Sequence, residues 1–272
     1  MLLLVDLDGV VYRGADPVPG VAQVLRARSS AGDRVMYVTN NSRSHRDEYR
    51  ARLAAMGLPL DDESIVTAAR ATAVLVAEFE PRPRKVMFIG GPGLARELRD
   101  AGLDVVEPTE EGLAAEPDVL VVGVDFELSY ERLSVAAEAV RRGARFVATN
   151  RDPVYPDADR LTAGAGALVA AIATTAGREP ELVVGKPEPR LFEAAAEIAG
   201  VDAHEAVVIG DNLLTDIGAA HAIGARSVLM LTGVTGADEA AAAPSQRRPT
   251  AIAADATELA ARLAEFATRA AR

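Results

Sequence analysis

The chain has 272 residues, a formal net charge of −11 and no cysteine, with 49% hydrophobic and 4% aromatic residues. Without cysteine there are no disulfides, thiolate nucleophiles or cysteine-based zinc sites, and the acidity argues against nucleic acid or anionic membrane surfaces as partners. No stretch approaches the ~20 apolar residues of a membrane span, and the opening MLLLV is too short and lacks the basic flank of a signal peptide, so a cytoplasmic location is expected.

From the amino terminus, residues 2–5 read as a strand, continuous and apolar as for one buried on both faces. A helix over 19–31 stops near Gly32, a strand covers 35–38, and a helix over 44–56 takes Ser44 as N-cap with Gly57 just past its end. Residues 64–79 read as a further helix, and Glu80-Pro81-Arg82-Pro83-Arg84 is a proline-rich break. Beyond it come a strand at 85–89, a helix at 92–101, strands at 104–107 and 119–122, a helix at 129–142, a strand at 145–148 and an alanine-rich helix at 166–176. Gly177-Arg178-Glu179-Pro180 is a second break. It is followed by a strand at 182–184, a helix at 189–199, a strand at 206–209, a helix at 215–223, and strands at 227–231 and 250–253. Residues 237–249 read as loop, and Asp255 caps a last helix to about Ala271. Repeated strand-helix-strand units imply a mostly parallel sheet with right-handed crossovers. The two breaks place one α/β module, 81–180, inside a second made of 1–80 and 181–272.

Ligands of open parallel sheets bind at the carboxyl ends of the strands, so the strand exits of the split module carry the functional reading. DLDGVVYRG follows the first strand. Asp6 and Asp8 repel each other there unless a cation or proton intervenes, and Gly9 and Gly14 allow tight backbone geometry. A hard cation with oxygen ligands suits the pair, magnesium being the common case in phosphate chemistry; turn or capping aspartates are the alternative. TNNS follows the second strand, offering the Thr39 hydroxyl and the N–H groups of Asn40 and Asn41 near a helix start, where anions are favoured but where N-capping also accounts for them. Lys186, in GKPEP, can reach inward as a point charge on phosphate or stand as a surface lysine. GDNLLTD places Asp211 directly at a strand end and Asp216 in the next helical turn, where aspartate also caps well. Acid pair, hydroxyl, lysine and acid pair, in that order at successive exits of one sheet, form a complementary set that chance capping does not supply.

DLDGV, VTNNS, GKPEP and GDNLLTD resemble the four motifs of the haloacid dehalogenase superfamily of phosphatases. The inserted module resembles the large α/β cap of the subfamily that includes the ribonucleotide monophosphatase NagD, para-nitrophenyl phosphatases, phosphoglycolate phosphatases and glycerol-3-phosphate phosphatases. The resemblance covers nearly the whole chain and implies a Rossmann-like parallel-sheet core with an inserted α/β cap. It implies Asp6 as the nucleophile that becomes an aspartyl-phosphate and Asp8 as the general acid and base. It implies Thr39 and Lys186 as holders of the phosphoryl oxygens, helped by Asn40 and Asn41. Magnesium would be held by the Asp6 carboxylate, the Asp8 carbonyl oxygen and Asp211, with Gly9, Asn212 and Asp216 in support. The implied substrate is a small phosphorylated metabolite, such as a glycerol phosphate, phosphoglycolate, sugar phosphate or nucleotide, and caps of this type often pair into homodimers.

Other signals carry less. IGGPG at 89–93 is only a partial dinucleotide-loop pattern. VATN at 147–150 echoes VTN at 38–40, but Thr149 lies inside the inserted module, so Thr39 is preferred. The same resemblance makes Asn150, Asp152 and Tyr155 candidate specificity residues, against the reading of a loop rich in turn formers. His45, His204 and His221 lie away from the motif strand exits and read as surface or packing residues. Asp8 argues against a dehalogenase and the large insertion against a phosphomutase. A non-hydrolytic, phospho-accepting regulatory module is about half this length and lacks such an insertion.

Overall fold

The computed structural model describes residues 1–61, 63–157 and 160–270. Its sheet strands are, in chain order, β1 (Leu2–Val5), β2 (Arg34–Thr39), β3 (Ile65–Thr67), β4 (Val86–Ile89), β5 (Val105–Val106), β6 (Val119–Val122), β7 (Arg145–Ala148), β8 (Leu182–Val183), β9 (Val207–Gly210), β10 (Arg226–Met230) and β11 (Ala251–Ala253). The chain divides into two compact units. One is Met1–Thr39, Tyr49–Val66 and Lys186–Arg272; the other is Asn40–Glu48 with Thr67–Gly185. The architecture is α/β, a Rossmann-like parallel-sheet core carrying an inserted α/β unit, as expected.

The first unit holds a six-stranded sheet in the order β11-β10-β9-β1-β2-β3. The pairs from β11 to β2 all run parallel. β1 and β9 (LLLV and VVIG) are buried at every position because helices cover both faces. Leu3, Val5, Val35, Tyr37, Val207 and Ile209 pack with Val21 and Leu25 of the helix Val21–Ser30 and with Leu259, Leu263 and Phe266 of the helix Ala256–Ala270. Helix Arg190–Ala199 packs on β1 and β2 and buries Leu191 and Phe192. Each such side chain, fully buried, contributes about 1.5–3 kcal/mol. Register then sets the functional end of the sheet: Val5 lies opposite both Ile209 and Tyr37. The exits of β9, β1 and β2 are therefore level.

The second unit is a five-stranded parallel sheet in the order β8-β7-β6-β4-β5. Its core joins Met87, Ile89, Leu120, Val122 and Phe146 to Val135 and Val140 of the helix Tyr130–Arg141 and to Leu168, Val169 and Ile172 of the helix Ala165–Ala176. Ser129 starts the first of these helices as expected of an N-cap, its Oγ accepting from Arg132 N at 3.1 Å.

Several elements differ from the sequence reading. Residues 64–79 are not one helix. Ile65, Val66 and Thr67 form β3, as β-branched residues favour, and Thr67 Oγ1 accepts from Arg70 N at 3.0 Å to start the helix Ala68–Ala77 only there. That helix packs on the helix Pro92–Asp100, so the second unit takes in chain ahead of the proline-rich break. The stretch 237–249 contains the helix Ala237–Ala241 and the 3₁₀ turn Ser245–Arg247. They hold because Ala240 and Ala243 pack on Leu213, Ile217 and Leu229. The helix expected at 215–223 begins as a wider π-type turn, Leu213–Ile217, before the helix Gly218–Ala222. Two antiparallel hairpins, Tyr12–Arg13 with Asp16–Pro17 and Val154–Asp157 with Arg160–Ala163, escape periodicity because each arm has at most four residues. Ala271 lies outside the described residues. Among the described residues no helix is long and apolar enough to cross a membrane.

Candidate active site

Asp6 leaves β1 with its backbone N–H still in the sheet, donating to Ile209 O at 2.8 Å, and its side chain is buried. The chain turns immediately: Val11 N donates to Leu7 O and Gly9 N to Tyr12 O, both at 2.8 Å. Gly9 sits at φ +78°, a left-handed conformation, and a Cβ there would lie 2.6 Å from Asp211 Cγ. Gly233 is equally constrained, since its Cβ would fall 2.7 Å from Asp211 Cβ. Two absent side chains thus leave room for the Asp211 carboxylate.

Lys186, 3% exposed, joins the set. Its Nζ bonds to Asp6 Oδ1 and, at 2.6 Å, to Asp216 Oδ1. Asp216 Oδ2 accepts from Asp211 N at 3.2 Å and Asn212 N at 3.1 Å, while Asn212 Oδ1 caps the following turn through Leu214 N and Thr215 N. Both oxygens of Asp216 are therefore committed to holding its neighbours. Asp211 Oδ2 accepts from Val234 N at 2.6 Å. Carboxylate oxygens of Asp6, Asp211 and Asp216 all lie within 4.8 Å of one another.

The charges do not balance: three buried carboxylates face one ammonium. Burial raises Asp6 well above the usual carboxylate range, and Asp216 and Asp211 add to that despite the opposing Lys186. Burial, then Asp216, pushes Asp211 up to about 6. Burial alone would lower the Lys186 ammonium, but Asp216 and Asp6 outweigh it and its pKa is raised. A dense, buried, oxygen-only donor set with surplus negative charge fits a hard divalent cation such as magnesium. Asp8 differs from these groups. Its side chain is exposed, yet enough protein surrounds the carboxyl for desolvation to raise its pKa against the opposing Arg52 and Lys186. Arg52 is held over the Tyr12 ring, 3.4 Å from its centroid, and donates to Gly14 O.

Thr39, buried, is the last residue of β2. Asn40 and Asn41 follow it directly in the chain but group with the second unit. Asn40 Nδ2 donates to Asp152 Oδ2 and Asn41 Nδ2 to Tyr155 Oη, each at 3.0 Å, and Asn150 Nδ2 donates to Asn40 O at 2.7 Å. All three candidate specificity residues therefore touch the TNNS stretch. Phe126 joins them unannounced by any motif, edge-on to Tyr155 at 5.3 Å and beneath the Arg43 guanidinium at 4.8 Å. Thr149 Oγ1 is buried with no hydrogen-bond partner among the described residues. IGGPG is not a phosphate loop: Gly93 N donates to Arg43 O at 3.1 Å, and a Cβ on Gly91 would meet Arg43 Cγ at 2.9 Å, so these glycines admit another stretch of backbone. His204 and His221 are exposed, whereas His45 is buried in a charged network. The sequence reading also passes over Thr232, Gly233 and Val234. The strand-exit rule, carried to β10, would have reached them in LTGVTG.

Residues 3–104 match the family described as haloacid dehalogenase-like hydrolase, and residues 183–259 a family described as HAD-hydrolase-like. The D-glycerol 3-phosphate phosphatase of Mycobacterium tuberculosis is 39% identical over 253 residues, which span 93% of this chain and 69% of that protein. The structure of the p-nitrophenyl phosphatase from Archaeoglobus fulgidus superposes with a TM-score of 0.88 at 33% identity, covering 96% of this chain and 98% of that one. The glycerol phosphate phosphatase of Mycobacterium tuberculosis in complex with magnesium superposes with a TM-score of 0.83 at 38% identity, covering 95% and 75%.

Proposed function

The chain belongs to the haloacid dehalogenase-like hydrolases, in the NagD and para-nitrophenyl phosphatase-like subfamily, and we propose that it is a magnesium-dependent phosphatase that hydrolyses small phosphomonoesters through an aspartyl-phosphate on Asp6. The unit built from both chain ends is the catalytic core in this reading, and the inserted unit is its cap. The observation that carries it is Lys186 Nζ bonded to Asp6 and Asp216, with a carboxylate oxygen of Asp211 within 4.8 Å of theirs.

Asp6 attacks phosphorus while the ester oxygen leaves with the proton of Asp8. Water deprotonated by Asp8 then cleaves the aspartyl-phosphate, releasing phosphate and restoring both carboxyl groups. The raised pKa of Asp8 suits a group that must be protonated in the first step and ionised in the second. Lys186 holds Asp6 in place and supplies positive charge where a dianionic phosphoryl group arrives, with Thr39, Asn40 and Asn41 holding its oxygens. Asp6, the Asp8 carbonyl oxygen and Asp211 would hold magnesium, which would supply positive charge to offset that of the carboxylate and the phosphate. Asn212 and Asp216 orient these ligands.

The test is phosphate release from a panel of glycerol phosphate, phosphoglycolate, sugar phosphates and nucleoside monophosphates, with magnesium and with EDTA. Release that is unaffected by EDTA, or absent from every ester, overturns the reading. We also propose a homodimer through the inserted unit, where Val154 and Leu161 of the second hairpin are exposed. Sedimentation showing only monomer at micromolar concentration removes that part.

A further inference from the structure

A second charged cluster lies entirely within the inserted unit. His45, Glu97 and Asp100 bring an imidazole and two carboxylates within 4.8 Å of one another. Glu97 is 1% exposed and His45 2%. The set resembles a metal site, but a cation already occupies it: the Arg46 guanidinium bonds to Glu97 Oε2 and, at 3.2 Å, to Asp100 Oδ2. A buried carboxylate costs several kcal/mol unless it is paired and hydrogen-bonded, so its other bonds show what it holds. Glu97 Oε1 accepts from the backbone N of Arg46 at 3.0 Å. Arg46 is the first residue of the helix Arg46–Ala55, so Glu97 caps that helix from a different element, the helix Pro92–Asp100. His45 Nε2 lies 3.0 Å from Asp100 Oδ2, and its Nδ1 lies 3.2 Å from Asp47 N.

Residues 40–45 have neither helix nor strand, so their shape depends on where their polar groups go. Asn40 O accepts from Asn150 Nδ2, Arg43 O from Gly93 N, and Ser42 Oγ from Val124 N at 3.2 Å. Asn41 Oδ1 accepts from Arg43 N at 2.8 Å. Glu97 closes the far end of this stretch, five residues beyond Asn41.

We propose that Glu97 is a positioning residue for the phosphate-binding stretch Asn40–Asn41, acting through Arg46 and His45 without touching the substrate. It rests on the reading of those asparagines as holders of the phosphoryl oxygens. Removing the carboxylate leaves the Arg46 N–H without its acceptor and the Arg46 guanidinium with Asp100 alone, and the stretch that carries the asparagines loses its anchored end.

The experiment measures KM and kcat for p-nitrophenyl phosphate and, by calorimetry, the Kd of inorganic phosphate with saturating magnesium, for the full chain and for Glu97→Ala, Glu97→Gln and Glu97→Asp. Glu97→Ala raises KM and the phosphate Kd about 10-fold while kcat moves much less, because misplaced binding groups are felt in substrate affinity. Glu97→Gln, which keeps an acceptor for the N–H but loses the ion pair, falls between, and Glu97→Asp recovers part of the loss. Should Glu97→Ala not fold, Glu97→Gln decides. A lowered urea midpoint with unchanged KM and phosphate Kd would show a merely structural role and overturn the proposal. A wild-type chain that binds phosphate but releases none from any ester overturns the hydrolytic reading instead, and the same titration still judges Glu97.

Discussion

Asp8 and Lys186 show how a single environment prepares two groups for different work. Asp8 stands at the rim, where desolvation raises its pKa while water can still reach it. Replacing its carboxyl with an amide removes the transferable proton and little else. Asp8→Asn is expected to lower kcat by about 10²–10⁴-fold at an unchanged urea midpoint, and near-normal turnover would remove Asp8 from the mechanism. Lys186 is instead the sole ammonium bonded to Asp6 and Asp216 among the described residues. Lys186→Met strands those carboxylates without their bonded cation, and breaking a buried pair from one side costs about 3–5 kcal/mol. Urea unfolding in EDTA measures this. A loss below about 1 kcal/mol would mean that the pair is not buried as described.

Among the elements, the loop after β10 is the one whose role its composition conceals. Thr232 Oγ1 donates to Gly9 O at 2.6 Å, Val234 N donates to Asp211 Oδ2, and Gly233 between them leaves space for the carboxylate itself. A methyl group at 233 has no room unless Asp211 moves. Gly233→Ala is therefore expected to weaken magnesium binding about 10- to 100-fold, as loss of a ligand's supporting shell does, with the fold retained in circular dichroism. Unchanged magnesium affinity by calorimetry would show that Asp211 is not a ligand. The π-type turn Leu213–Ile217 belongs to the same design, since it brings Asp216 back under the N–H groups of Asp211 and Asn212.

At the scale of the whole molecule, the surplus charge in the core links stability to pH. Asp211 has a folded pKa of about 6 against about 3.9 for an unfolded aspartate. Between those values the native state binds more protons than the unfolded one, so this group's contribution is full below about pH 4 and is lost as pH rises through 6. The amount is on the order of 3 kcal/mol. Without metal, wild-type stability should fall over that window relative to Asp211→Asn, which has no proton to lose. Magnesium competes with the proton and should stabilise the wild type more at pH 7 than at pH 4.5. Urea midpoints in EDTA and in magnesium check both, and parallel pH profiles for the two proteins would contradict the linkage.

Much of this was legible in the residues themselves. Continuous apolar runs identify β1, β4, β6 and β9 because strands covered on both faces leave no position for polar side chains. The acids and the lysine announce themselves because few other arrangements place such groups at successive strand exits. Tertiary structure alone decided the rest, since no local pattern encodes closeness across the chain. It joined Lys186 to Asp6 and committed both oxygens of Asp216. It grouped Asn40 and Asn41 with Asp152 and Tyr155, more than a hundred residues away. It turned Gly91 and Gly93 of an apparent phosphate loop into a seat for the Arg43–His45 stretch, and a histidine read as surface or packing into part of a buried ionic network. Sequence determines which chemistry a chain carries and where its strands end. The packing of distant segments decides which of those groups share a dielectric and a charge balance, and that balance sets what they do.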